Sequence, residues 1–205
     1  MSTMIQRYTA QERSNHWVVA IAFILAGLSG LALFHPAFFF LANLFGGGPW
    51  TRILHPFIGA VMFLSFMAMA ARFWRYNQIT PADRQWMGRI KDVLCNRDQD
   101  LPEIGKYNAG QKYLFWIMVV SIPVLLVSGI VIWQPWFAPF FPIGLTRVAV
   151  VVHALVAWIM ILGIIVHVYA AIWVKGSVRA MTRGTVPDAW ARQHHRAWYR
   201  DMTGK

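Results

Sequence analysis

The chain has 205 residues, of which 58% are hydrophobic, 15% aromatic and only 13% charged, a balance too apolar for an ordinary soluble domain and suited to a compact helical membrane protein. The formal charge of +11 would suit nucleic acid. The basic residues, however, lie between the apolar runs, where they set orientation in a bilayer, so the expected partner is lipid and not nucleic acid.

From Ser14 to Thr51 no residue carries a formal charge, and His16 to Phe34 (HWVVAIAFILAGLSGLALF) is one span long. No convincing small-residue cleavage site follows it, so the run reads as a retained first helix and not a signal peptide. His35-Pro36 closes it. The apolar stretch AFFFLANLFGGGPW, broken by Gly-Pro, is too short to cross and is expected to lie in the interface. The second span runs over residues 53–71, between Arg52 and Arg72, with Pro56 expected in its first turn, where a missing amide proton costs little. A polar segment, 72–112, follows. Thr80-Pro81 signals the start of a short surface helix there, with Trp86, Met87, Ile90, Val93 and Leu94 on one face, resting on the membrane or on a partner. The third span is 113–133, with Pro123 inside it as a kink, and QPWFAPFFPIG leads tightly into the fourth.

That fourth span, 148–174, holds 27 residues without Asp, Glu, Lys or Arg, between Arg147 and Lys175. A basic tail, 175–205, closes the sequence. Lys and Arg number 17 in the N-terminal segment, the middle loop and the tail together, against 2 in the other connections. The positive-inside rule therefore puts both termini, the loop 72–112 and the tail in the cytoplasm. The fold class expected is all-α: an integral membrane four-helix bundle, residues 1–205 forming a single membrane domain.

Histidines interrupt the spans. His153 and His167 lie fourteen residues apart on nearly one helical face, ~21 Å apart along the axis. A lone intramembrane imidazole ordinarily hydrogen-bonds a neighbouring helix. Here depth changes the reading: the second and fourth spans both begin outside, which brings His55 and His153 to the outer level. The first begins and the fourth ends inside, which brings His16 and His167 to the inner level. Two imidazoles at each of two levels is what bis-histidine haem ligation requires, with six-coordinate iron suited to passing electrons. The single cysteine, Cys95, rules out covalent attachment through a CxxCH run, so such haem is b-type. Gly27, Gly30, Gly59, Gly129 and Gly163 offer room for a porphyrin, although glycine is common at membrane helix contacts without one. Arg52 and Arg147 either pair with propionates or mark the interface. His35 ends a helix, and His194-His195 are expected in a solvated basic tail. GKYNAGQK, residues 105–112, either caps the third helix or uses Asn108 and Gln111 to bind a carbonyl while Gly110 admits a ring.

RYTAQERSNHW around His16, RILHPFIG around His55, GKYNAGQK, SGIVIWQPWFAPFFP, and the stretch from His153 through HVYAAIWVKGS to WARQHHRAWYR together resemble the membrane cytochrome b, or gamma, subunit of respiratory formate dehydrogenase. The resemblance extends over essentially the whole length. It implies two haem b groups, His55 with His153 for the outer and His16 with His167 for the inner. It also implies a menaquinone or ubiquinone site touching Asn108, Gly110 and Gln111 close to His167. The implied partners are an iron-sulfur subunit and a molybdenum or tungsten catalytic subunit facing the periplasm, in a complex of the bacterial inner membrane whose oligomeric state, a higher oligomer included, the residues leave open. The tail here ends earlier than in such relatives. The implied role is electron transfer to quinone near the cytoplasm, contributing to a redox loop. Alternatives are the cytochrome b of a hydrogenase or related oxidoreductase, a small proton-relay transporter, and a structural anchor.

Overall fold

The computed structural model describes residues 3–95, 97 and 101–204, without the side chain of Leu94. Among these are four helices long and apolar enough to cross a membrane: α1 (Ala10–Phe34), α2 (Gly48–Phe73, continued to Asn77 by a 3-10 turn), α5 (Ala109–Ile132) and α6 (Ile143–Trp173). Between α2 and α5 lie α3 (Pro81–Gly88) and α4 (Ile90–Leu94); after α6 come α7 (Ser177–Arg183), α8 (Asp188–His194) and α9 (Arg196–Thr203). The protein is an all-α membrane helical bundle, to which β1 (Met4–Gln6) and β2 (Thr185–Pro187) add one antiparallel pair, Ile5 opposite Val186.

Helix starts are set by side-chain chemistry more than by where apolarity begins. At α1 the Thr9 hydroxyl accepts from the Glu12 amide (3.2 Å) and the Glu12 carboxylate accepts from the Thr9 amide (2.7 Å). This capping box satisfies two amide protons that a helix start leaves unpaired. It begins the helix at Ala10, six residues before the apolar run. Likewise α2 starts at Gly48-Pro49, after Gly46 and Gly47 turn the chain through positive φ (87° and 97°). Pro56 consequently lies inside α2 and not in the first turn where a start at Arg52 would put it. Pro36–Phe45 forms a ten-residue 3-10 helix, opened by His35, whose Nδ1 accepts from the Ala37 amide at 3.2 Å.

The chain divides into two compact units. The first, Ser14–Met69 with Ile117–Val166, contains the middle of all four long helices. Its exposed surface is dominated by Leu64, Val120, Val127, Leu155 and Val166, each more than half exposed. Water would not tolerate so continuous an apolar surface; hydrocarbon does.

The second unit, Met1–Arg13, Ala70–Trp116 and His167–Lys205, is polar and densely bonded. The Arg7 and Tyr8 amides donate to the Gly184 carbonyl (2.8 and 3.1 Å). Gly184 has φ +81°, and a Cβ there would come within 2.6 Å of the Tyr8 carbonyl, so this junction demands glycine. Arg7, 5% exposed, lies 4.8 Å from the Trp198 ring centre and 5.1 Å from that of Trp190. Lys106 lies 4.7 Å from Tyr76 and 5.1 Å from Tyr8. Aromatic faces thus compensate two cations with their quadrupoles. Lys112 donates to the Asp83 carboxylate (2.8 Å) and the Gln78 carbonyl (3.0 Å). Burial alone would raise the Asp83 pKa, but hydrogen bonds from Lys112 and Thr80 outweigh it and hold the carboxyl below its usual range.

Two expectations for this unit need correction. The surface helix is two helices, α3 and α4, meeting at Arg89; Trp86 is buried with its ring 3.8 Å from where a Cβ on Gly110 would sit, packing on its own chain. The expected Leu94 contact lies outside the described residues. His195 is not solvated: it is 4% exposed, its Nδ1 donating to the Gly105 carbonyl (2.8 Å) and its Nε2 accepting from Arg7 Nη2 (3.1 Å). The basic residues around it suggest water, but the rings of Trp190 and Trp198 lie against it, with centres 5.2 and 6.4 Å from its own.

Candidate haem-binding site

His55 sits on α2 and His153 on α6, both half-buried inside the membrane unit. Their ring centres are 6.2 Å apart with planes 69° from parallel. Each ring is seated by a serine-glycine step on the helix that precedes its own. Nδ1 of His55 lies 2.9 Å from Ser29 Oγ on α1, and Nδ1 of His153 lies 2.9 Å from Ser128 Oγ on α5.

The hydroxyl proton decides the roles. Ser29 Oγ is 2.7 Å from the Leu25 carbonyl, four residues back, and Ser128 Oγ is 2.6 Å from the Val124 carbonyl. A carbonyl only accepts, so each serine spends its single proton there and offers its lone pair to the imidazole. Nδ1 therefore carries the ring proton, and Nε2 carries the lone pair. The next residue completes the seat: a Cβ on Gly30 would come within 3.2 Å of His55 Cε1, and one on Gly129 within 3.3 Å of His153 Cε1. Such approach is tighter than ordinary contact, so each ring lies flush on glycine backbone.

This geometry fits an iron held between two axial imidazoles. Metal-imidazole bonds of ~2 Å place two such ring centres roughly 6 Å apart, the separation seen. Among the described residues no three His, Cys, Asp or Glu side chains converge as a bare metal ion would require; a porphyrin supplies four ligands itself and asks the protein for two.

The other site candidates fall elsewhere. His16, half-buried on α1 and edge-on to Trp17 at 5.5 Å, belongs to the membrane unit; His167, half-buried on α6, belongs to the polar unit. Asn108 and Gln111 cap α5 reciprocally: Asn108 Oδ1 accepts from the Gln111 amide (2.9 Å) and Gln111 Oε1 from the Asn108 amide (3.0 Å). Both side-chain oxygens are thus engaged, and both amide nitrogens remain as donors. Gly110 lies between them, against Trp86.

The serines are what reading the sequence missed. Ser29 precedes His55 by 26 residues and Ser128 precedes His153 by 25, each followed directly by glycine. That repeated spacing was the available signal.

Two histidines meeting edge-on at 6.2 Å in an apolar helical bundle are an arrangement that a membrane cytochrome of the b type would use. The chain belongs to the prokaryotic cytochrome b561 family, whose model matches residues 7–184. It is 46% identical over 198 residues to the formate dehydrogenase cytochrome b556(fdo) subunit of Escherichia coli K12, covering 97% of this chain and 93% of that one. It is 42% identical over 201 residues to the nitrate-inducible formate dehydrogenase cytochrome b556(Fdn) subunit of the same strain, covering 98% and 93%. With the formate dehydrogenase cytochrome b556 subunit of Haemophilus influenzae it shares 37% over 199 residues, covering 97% and 84%.

Proposed function

We propose that this chain is the di-haem cytochrome b subunit of a formate dehydrogenase complex in the bacterial inner membrane. Electrons enter from an iron-sulfur subunit on the periplasmic side, itself supplied by a molybdenum or tungsten catalytic subunit, and leave to menaquinone or ubiquinone near the cytoplasmic face. The observation that carries the reading is the pair His55 and His153, each with Nδ1 hydrogen-bonded to a serine and the rings 6.2 Å apart. The three relatives, all named as formate dehydrogenase subunits and matched nearly end to end, support the choice of complex.

His55 and His153 hold the outer haem; His16 and His167 hold the inner one, a pairing that rests on their depth in the spans and on the family resemblance. Haem in such sites supplies reversible one-electron transfer without a coordination position for oxygen. Asn108 and Gln111 present amide donors, beside Gly110, to a quinone carbonyl. With both termini and these residues on the cytoplasmic side, protons taken up on quinone reduction come from inside. Formate oxidation releases its protons outside, so the two half-reactions form a redox loop.

The test is a pyridine haemochrome titration on the gently purified complex, followed by formate addition. Two haem b per chain, reduced by formate and reoxidised by added quinone, with two larger subunits copurifying, is the expected result. One haem or none would end the di-haem reading; reduction by hydrogen but not formate would reassign the partner.

A further inference from the structure

We propose that Ser29 and Ser128 are positioning residues for the outer haem, fixing the tautomer and ring plane of its two axial histidines and thereby holding down its reduction potential. The proposal rests on the assignment of His55 and His153 to that haem.

Both serines are buried, Ser29 at 0% and Ser128 at 6% exposure, in helix interiors where a hydroxyl offers no advantage in helix propensity. Bonding back to the i−4 carbonyl would satisfy each hydroxyl without any histidine nearby. Instead, each oxygen also lies 2.9 Å from an imidazole Nδ1, on two different helix pairs, with the same orientation and the same glycine after it. Two independent copies of one device argue for a role in what the histidines do. Held this way, Nδ1 cannot serve as the ligand atom and Nε2 must.

The electronic consequence follows from the direction of the hydrogen bond. An Nδ1–H that donates leaves more electron density on the ring, which makes Nε2 the stronger donor. A stronger donor favours ferric over ferrous iron, so the outer haem has a lower potential than it would with unbonded imidazoles. Because the two bonds act on opposite ligands of one iron, their effects add. Restraint of both rings also fixes the 69° between their planes, to which the low-spin ferric EPR signal is sensitive.

The experiment is redox potentiometry with optical and EPR detection on the assembled complex, comparing wild type, Ser29→Ala, Ser128→Ala, the double variant and Ser128→Thr. The expected result is an upward shift of the outer haem's potential in each alanine variant, larger in the double, with its ferric EPR signal displaced. The inner haem should be unmoved, and Ser128→Thr, which keeps the hydroxyl, should stay near wild type. Unchanged potential and EPR signal in both alanine variants would overturn the proposal. So would an equal shift in Ser128→Thr, since packing and not the hydroxyl would then be responsible. If an alanine variant loses the outer haem altogether, retention by Ser128→Thr supports the hydroxyl and loss in both overturns it. Failure of the underlying assignment reads differently: His55→Ala would then leave the complete haem spectrum.

Discussion

His195 and the pair His55 and His153 are all imidazoles shielded from water, all with Nδ1 held by an oxygen, yet they are set up for different work. At His195 the Nε2 lone pair accepts from the Arg7 guanidinium at 3.1 Å. At His55 and His153 the ring faces another imidazole instead. The first arrangement consumes both nitrogens in tying the N-terminal segment to the tail; the second orients one nitrogen and leaves the other for the ligand role proposed above. Burial and a bonded Nδ1 are therefore no mark of a metal site by themselves. What distinguishes the sites is whether a cation or a second ligand lies across the ring.

Exchanging single imidazoles gives the largest expected difference. His153→Ala should remove one of two haems from the purified complex, halving the pyridine haemochrome yield, because one imidazole cannot hold a six-coordinate iron. His195→Ala should leave both haems and instead loosen the tail, seen as faster proteolysis of residues 188–203. If His195→Ala lost haem to the same degree as His153→Ala, the distinction between the two kinds of site would fail.

Acid should separate the sites next. Burial, then the adjacent Arg7 charge, pushes the His195 pKa down to about 3, against 6.5 for the ordinary group. A group depressed in the folded state is neutral there while its unfolded counterpart takes up a proton. Its contribution to stability is therefore complete above pH 6.5 and lost as pH falls from 6.5 toward 3. Within that window the opening equilibrium of the tail should rise about tenfold per pH unit, the slope for one proton. The Asp83 carboxyl, held below its usual range by Lys112 and Thr80, adds its own loss only as pH falls through the ordinary carboxylate value of 3.8. Hydrogen exchange of residues 188–203, corrected for intrinsic rate, measures the slope between pH 6 and 4.5, and His195→Gln should flatten it.

The apolar half of the molecule was legible because depth is a one-dimensional property. Counting residues from each end of a span puts His55 level with His153, and the structure brings the two rings together edge-on, their centres 6.2 Å apart. The serines were not legible by that route, since a mid-helix hydroxyl normally bonds its own backbone; only the matched spacing to a histidine on the next helix marks them. The polar half resisted for the opposite reason. His195, Arg7 and Gly105 lie 90 to 188 residues apart in sequence, and nothing periodic announces an aromatic cage assembled from three separate segments. Charge counting reads the tail as solvated, whereas its tryptophans lie against His195. Helix starts were misjudged wherever a capping box or a Gly-Pro turn preceded the apolar run, as at Thr9 and Gly48.

The smallest expected effect is at Asn108, where capping and quinone binding make separable demands on one side chain. The cap uses Oδ1, which accepts from the Gln111 amide at 2.9 Å; a quinone carbonyl would need the Nδ2 donor. Asn108→Asp keeps an acceptor at the helix start, where a negative charge is also favoured, and deletes the donor. Asn108→Ala removes both, at a cost of about 1 kcal/mol in helix stability. If only the cap matters, Asn108→Asp should reoxidise its haems at the wild-type rate and Asn108→Ala slightly slower through local fraying. If Nδ2 binds quinone, both variants should slow reoxidation by roughly 2- to 10-fold, the worth of one neutral hydrogen bond, with both haems still bound and reducible by formate. Stopped-flow haem oxidation by added quinone distinguishes the outcomes, and a wild-type rate in Asn108→Asp removes this side chain from the quinone site.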